Sequence, residues 1–255
     1  MGRSILTVIV PAAAAWLVAG ICPARAAALD GLLSGYALTS WHDEAGRPLG
    51  SVYAIVQDHD GYLWIGTDAG LRRFDGWRFT PWERLGGTPA AGTSVRALYT
   101  TNDGRLLGGF ANSAGVGQIR NGEIGRYDNG LEGLDAVSEI VEDGRGVKWA
   151  IADRTLYTLH SDRWQKVRLP WKAREGQVQD LYVSRRGQLW VGTRWGVFEH
   201  LEATNGFRIA SDEHVWGMTE DPTGRIWTSD IVSGFRVLGA SAPPRHSVVG
   251  AGFRL

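Results

Sequence analysis

The sequence predicts an all-β chain, a β-propeller of four-stranded antiparallel blades, and three observations carry that expectation. The chain repeats itself five times, each copy alternates apolar and polar residues with period two, and each copy turns on a glycine at the same place. The anchors are Gly61, Gly104, Gly146, Gly187 and Gly224, at intervals of 43, 42, 41 and 37 residues, which is the spacing of a propeller blade rather than of a helical solenoid. Nine positions before each glycine stands a valine, Val52, Val95, Val137, Val178 or Val215. Three positions after it stands a large apolar residue, Trp64, Leu107, Trp149, Trp190 or Trp227.

Ahead of the repeat, residues 1–28 read as a secretory signal peptide: Arg3, an apolar run from Ile5 to Ile21, then the small-residue site around Ala24-Arg25-Ala26. A membrane anchor is the alternative, because the run approaches the roughly 18 residues that span a bilayer. Cys22 follows Ile21 where a lipidation site wants a small residue, so a lipoprotein is not expected. The localisation expected is periplasmic.

In the first copy the alternation gives four short strands, at Val52-Val56, Tyr62-Ile65, Leu71-Phe74 and Trp77-Phe79. Asp60-Gly61 and Asp103-Gly104 join first to second strands; Asp75-Gly76, Asn121-Gly122 and Asn205-Gly206 join third to fourth. Glycine supplies the positive φ that tight hairpins need. A four-stranded sheet of this size cannot bury both faces alone, so successive blades must cover one another. The repeated tryptophans are therefore expected to be buried between blades, with Gly66-Thr67 and Gly192-Thr193 letting neighbouring sheets approach.

Composition excludes several partners. With 27 basic against 27 acidic residues the chain lacks the long-range field that draws nucleic acid or an anionic membrane, so no nucleic-acid partner is expected. One cysteine excludes an internal disulfide and a Cys-rich zinc site. His42, His59, His160, His200, His214 and His246 show no ligand spacing, and Asp58-His59-Asp60-Gly61 reads as a turn rather than a calcium loop. No metal, cofactor or catalytic residue is expected.

The segment from Ser51-Val52-Tyr53-Ala54-Ile55-Val56-Gln57-Asp58 through Gly61-Tyr62-Leu63-Trp64-Ile65-Gly66-Thr67 to Gly70-Leu71-Arg72-Arg73-Phe74-Asp75-Gly76 resembles the two-component regulator propeller repeat. The copy around Gly187-Gln188-Leu189-Trp190-Val191-Gly192-Thr193 is similar to it. That repeat builds the periplasmic sensor regions of hybrid histidine kinases and related signalling proteins, so the resemblance implies a seven-bladed fold and a sensory role; the kinase or cyclase output of that family is not expected in this chain, which departs from it there. Seven blades of about 42 residues need about 290. Residues 29–255 are therefore expected to form a partial propeller, with Gly252-Phe253-Arg254-Leu255 opening a sixth copy. A closed five-bladed ring completed by Tyr36-Trp41 is the alternative.

In such a fold the loops joining second to third strands converge, with the segments leading into the innermost strands, on one end of the channel, a usual place for ligands. These loops supply Asp68, Asn112, Asp153, Arg194, Trp195 and Asp230, and the lead-in segments supply Ser51, Ser94, Gln177 and His214. The function expected is sensing of a small-molecule or glycan ligand, or interaction with a signalling partner or a second copy. The alternative is a propeller enzyme, a lyase or glycoside-active protein, that uses Asp68, Asp230 or His214. Mass spectrometry of the exported protein is expected to find a new N-terminus between Ala24 and Leu29; an intact Met1 in the membrane fraction would overturn the signal-peptide reading.

Overall fold

A computed structural model describes residues 42–239, except 43–45, 47, 86–93, 112–114, 121–122, 128–135, 168, 170–177, 231–233. Residues 1–28, where a signal peptide is expected, lie outside the described residues, as do Tyr36-Trp41, Asn121-Gly122 and Gly252-Leu255. No helix among the described residues is long and apolar enough to cross a membrane.

The chain is an all-β propeller of five antiparallel blades. Blade 1 comprises β1 (Val52–Gln57), β2 (Leu63–Thr67), β3 (Gly70–Phe74) and β4 (Phe79–Pro81), followed by a 3-10 turn at Trp82–Leu85. Blade 2 comprises β5 (Val95–Thr100), β6 (Leu106–Phe110), β7 (Val116–Arg120) and β8 (Glu123–Arg126). Blade 3 comprises β9 (Val137–Glu142), β10 (Lys148–Ala152), β11 (Thr155–His160) and β12 (Arg163–Lys166). Blade 4 comprises β13 (Val178–Val183), β14 (Leu189–Thr193), β15 (Gly196–Leu201) and β16 (Gly206–Ser211). Blade 5 comprises β17 (Gly217–Glu220), β18 (Ile226–Asp230) and β19 (Gly234–Val237). Each blade is a simple meander in which strands pair in chain order. The innermost strands pack in the order β1, β5, β9, β13, β17, and no comparable packing joins β17 to β1 among the described residues.

The five anchor glycines all adopt positive φ, from 80° to 87°. In three blades an aspartate fixes the turn around that glycine and the tryptophan beyond it. Asp58 Oδ1 accepts the N–H groups of Asp60 and Tyr62, while Oδ2 accepts the Trp64 indole N–H at 2.6 Å. Asp143 does the same for Arg145, Val147 and Trp149, and Asp221 for Thr223, Arg225 and Trp227. Blades 2 and 4 use hydroxyls instead, Thr101 Oγ1 accepting Arg105 N–H and Ser184 Oγ accepting Gln188 N–H.

Each core lies between two blades. Trp64, Leu71 and Trp82 pack with Val95, Leu98 and Leu106; Ala97 and Leu107 with Val137 and Ile140; Trp149, Ile151 and Leu156 with Val178, Leu189 and Phe198. A Cβ on Gly66 would lie 2.8 Å from the carbonyl oxygen of Val95 in the next blade, so that glycine permits the close approach. Burial of the repeated tryptophans is less uniform than the sequence predicts. Trp64 and Trp149 are buried, but Trp190 and Trp227 are half-buried. Trp149 is covered by His200 and Phe207 of the following blade, with ring centroids at 4.9 and 6.2 Å. Trp190 shares a face with Gly192, where a Cβ would meet Met218 within blade 5 and Val215 ahead of it, and that blade has no fourth strand among the described residues to supply a counterpart of Phe207.

Replacing Trp149 by Ala is expected to lower the unfolding free energy by about 3 to 5 kcal/mol, the range for a large buried aromatic. Trp190→Ala is expected to cost clearly less, and urea titration of the two variants measures the difference.

Candidate functional site

The loops between second and third strands do meet the lead-in segments of the innermost strands at one end of the fold, here called the head. Main-chain bonds tie them: Asp68 N–H to Ser51 O at 3.1 Å, Ala111 N–H to Ser94 O at 3.0 Å, Asp153 N–H to Ala136 O at 3.1 Å and Val215 N–H to Thr193 O at 3.2 Å.

The seven residues expected there fall into three groups. Asp68 and Asp153 cap the lead-in segments, their Oδ1 atoms accepting the N–H groups of Ser51 at 3.1 Å and Ala136 at 3.2 Å. Arg194, Trp195, His214 and Asp230 gather where blades 4 and 5 meet. Asn112 and the lead-in residue Gln177 lie outside the described residues.

Within the gathered group, Arg236 forms the hub. Its guanidinium, 9% exposed, pairs with Glu213 Oε2 at 2.6 Å and with Asp230 Oδ2 at 2.9 Å, and donates to the His214 carbonyl at 3.2 Å. His214 Nε2 is 2.9 Å from Gln179 Oε1, and its ring lies 5.5 Å from that of Trp216. Arg194 lies 5.7 Å from the Trp195 ring centroid, and Trp195 and Trp216 are each 51% exposed. Buried charge therefore holds the base of this corner while two indoles face outward.

The sequence reading missed the residues that stand at the head of the innermost strands. In β1, β5, β9 and β13 the pairing to the second strand slips by one residue just after the repeat valine, at Tyr53, Arg96, Ser138 and Gln179. Such bulges re-aim a side chain out of the regular pleat. Trp216 occupies the same position ahead of β17. The Arg96 guanidinium lies 4.1 Å from the Tyr53 ring centroid, which links blades 1 and 2 as Gln179 and His214 link blades 4 and 5. The available signal was internal: the valine is the same in five copies, and the residue after it differs in every one.

One position further along lie Glu139 and Asp180, on β9 and β13. Burial pushes both carboxyls above the usual range, Asp180 to about 7, and the charge of Asp180 raises Glu139 further. Among the described residues no group of His, Cys, Asp and Glu is placed to hold a metal ion.

The fold and this head define a β-propeller with a variable end surface carried on a constant framework. Residues 46–69 match the two-component regulator propeller family, and the chain carries that repeat. Its fold is similar to the extracellular domain of a hybrid two-component system of B. thetaiotaomicron, with a TM-score of 0.61 at 19% identity over 75% of this chain and 28% of that one. It is also similar to a streptogramin B lyase (TM-score 0.60, 14% identity, 76% of this chain and 66% of that one). A third likeness is to PorZ, a surface component of the type-IX secretion system of Porphyromonas gingivalis (TM-score 0.57, 14% identity, 74% of this chain and 32% of that one). The chain thus spans less than two thirds of the length of each, and at these identities the likeness is one of fold. No curated protein matches the sequence.

Removing the hub cation takes an ion pair from Asp230, whose side chain is buried, and another from the partly exposed Glu213, so Arg236→Ala is expected to cost about 3 to 5 kcal/mol. Arg194→Ala, at an exposed side chain, is expected to stay within about 0.5 kcal/mol. Urea titration of both variants checks the contrast.

Proposed function

We propose that this chain is an exported, non-catalytic propeller that senses a small-molecule or glycan ligand, or engages a signalling partner, at its head, within a bacterial two-component-type system. The observation that carries this reading is the set of aligned bulges. Five blades keep the valine and vary the residue after it, so that Tyr53, Arg96, Ser138, Gln179 and Trp216 present different chemistry from equivalent places. A framework kept constant under variable tips suits recognition. The exposed indoles of Trp195 and Trp216 offer stacking faces, Gln179 and His214 offer polar contacts beside Trp216, and Arg96 stands at the equivalent bulge of blade 2.

Binding is favoured over chemistry by how the acids and the histidine are used. Asp68 is spent on a main-chain cap, Asp230 on Arg236, and the His214 ring on a neutral amide rather than a carboxylate. A general acid/base pair needs groups free to reach a substrate proton. The fold likeness to a lyase is what keeps the enzymatic reading as the alternative.

A thermal-shift screen of the full chain against oligosaccharides and small organic acids tests the proposal. A stabilising compound is expected to lose its effect in Trp216→Ala and Arg96→Ala and to keep it in Trp77→Ala, a control on the outer turn of blade 1. Stabilisation that survives both head substitutions would place recognition elsewhere, and conversion of the compound, read by mass spectrometry, would favour the enzyme.

A further inference from the structure

Glu139 and Asp180 have no part in the recognition surface proposed above. They occupy the same register of adjacent innermost strands, two positions after the repeat valine, where the other copies hold Ala54, Ala97 and Gly217. Each reaches across a blade boundary to a main-chain N–H. Glu139 Oε2 accepts that of Leu181 in blade 4 at 2.9 Å, and Asp180 accepts that of Met218 in blade 5. Both residues keep some surface, yet Asp180 Oδ2 is out of contact with solvent and has no hydrogen-bond partner.

Most charged groups on the surrounding elements have partners of their own, and Arg154, whose carbonyl accepts Val178 N–H, carries an exposed side chain. Arg96 of β5 lies over Tyr53, and Lys148 of β10 is 3.5 Å from Glu142 of β9. Arg194, after β14, lies beside Trp195; His214, before β17, is held by Gln179, and Glu213 by Arg236. Tyr182 of β13 points its interactions at Glu220 of β17, whose Oε2 accepts Arg185 N–H. Among the described residues no cation is ion-paired with Glu139 or Asp180. Two ionised carboxylates would therefore sit at neighbouring blade joints without a counter-charge, an arrangement relieved when they keep their protons.

We propose that the Glu139 and Asp180 carboxyls keep their protons while blades 3, 4 and 5 are locked together, and that ionisation of this pair loosens those joints, making the head responsive to pH. The connection to the head is short. Gln179 precedes Asp180 and holds His214, which touches Trp216, so a shift of β13 against β17 reaches the exposed indole directly. Only this last link rests on the recognition reading; the protonation does not. Because the folded carboxyls titrate above their unfolded values of about 4, the folded state binds more protons between pH about 4 and about 7, and stability falls as pH rises through that window.

Two measurements on the full chain test this. In a ¹³C-carboxyl titration the Asp180 resonance is expected to move with a midpoint near 7, and the Glu139 resonance well above the ordinary glutamate range; midpoints of about 4 for both would overturn the proposal. The urea midpoint of the wild type is expected to be lower at pH 8 than at pH 5. The double variant Glu139→Gln, Asp180→Asn, which mimics the protonated pair, is expected to lose that fall. A wild type without the fall, or a double variant that keeps it undiminished, defeats the latch. Because ligand stabilisation at pH 5 is measured separately, a failed latch with intact head binding is distinguishable from a failed recognition surface.

Discussion

The fold depends on a carboxylate that closes a hairpin and aims an indole. Asp58, Asp143 and Asp221 each gather two main-chain N–H groups and the N–H of a tryptophan six residues on. The turn and the second strand are thereby fixed by one charged acceptor, whose bonds are stronger than those of a neutral one. The Asp221 carboxyl is held well below the usual range, first by the Thr223 hydroxyl and then by the Trp227 indole N–H. Aiming the indole matters because its ring is what the next blade packs on. Where the carboxylate is absent, the blade still forms, but a hydroxyl holds the turn and Leu107 or a half-buried Trp190 takes the indole's place.

Among the described residues no strand ladder joins one blade to the next, so the main chain there is satisfied in other ways. Side chains of the innermost strands do this in both directions around the fold. Thr100 Oγ1 donates to Gln57 O, Glu142 accepts from Asn102 N–H, and Glu220 accepts from Arg185 N–H. Main-chain bonds cross as well: Val178 N–H meets Arg154 O at 2.9 Å, Val215 N–H meets Thr193 O at 3.2 Å, and Gly144 N–H meets Gly187 O at 2.9 Å. A Cβ on Gly144 would stand 2.7 Å from the Gly187 Cα, so this contact exists because both residues are glycine. Carboxylates thus recur at the blade contacts; Glu142 pairs with Lys148, whereas among the described residues no cation pairs with Glu139 or Asp180.

At the outer limits of the described arc the same packing logic leaves surface uncovered. Val52 is 45% exposed although its four counterparts are buried, since no blade packs against that side of β1 among the described residues. The hub at Arg236 belongs to the opposite side, where a buried guanidinium between Glu213 and Asp230 organises blade 5 around the lead-in segment. Arg suits this role because its planar fork can bind two carboxylates and a carbonyl at once. Trp216, half exposed, follows the buried Val215 and the lead-in segment that this charge cluster holds.

The sequence alone determined the blade plan, because the period-two alternation and the Val, Gly and Trp offsets are local rules repeated five times. The strands at Val52, Leu63 and Gly70 and the positive-φ anchor glycines follow from it directly. It also determined which loops approach the head, since a meander forces second-to-third connections to one end. Tertiary structure decided what those residues do there. Whether Asp68 contacts a ligand or caps Ser51 depends on a segment 17 residues away, and the partner of Asp230 is settled only when β18 and β19 pair. The bulges at Tyr53, Arg96, Ser138 and Gln179 were hidden because a one-residue slip leaves the alternation almost unchanged. The raised carboxyls of Glu139 and Asp180 were hidden for a different reason: a pKa is set by everything that surrounds the group, and their surroundings come from three blades separated by about 40 residues of chain each.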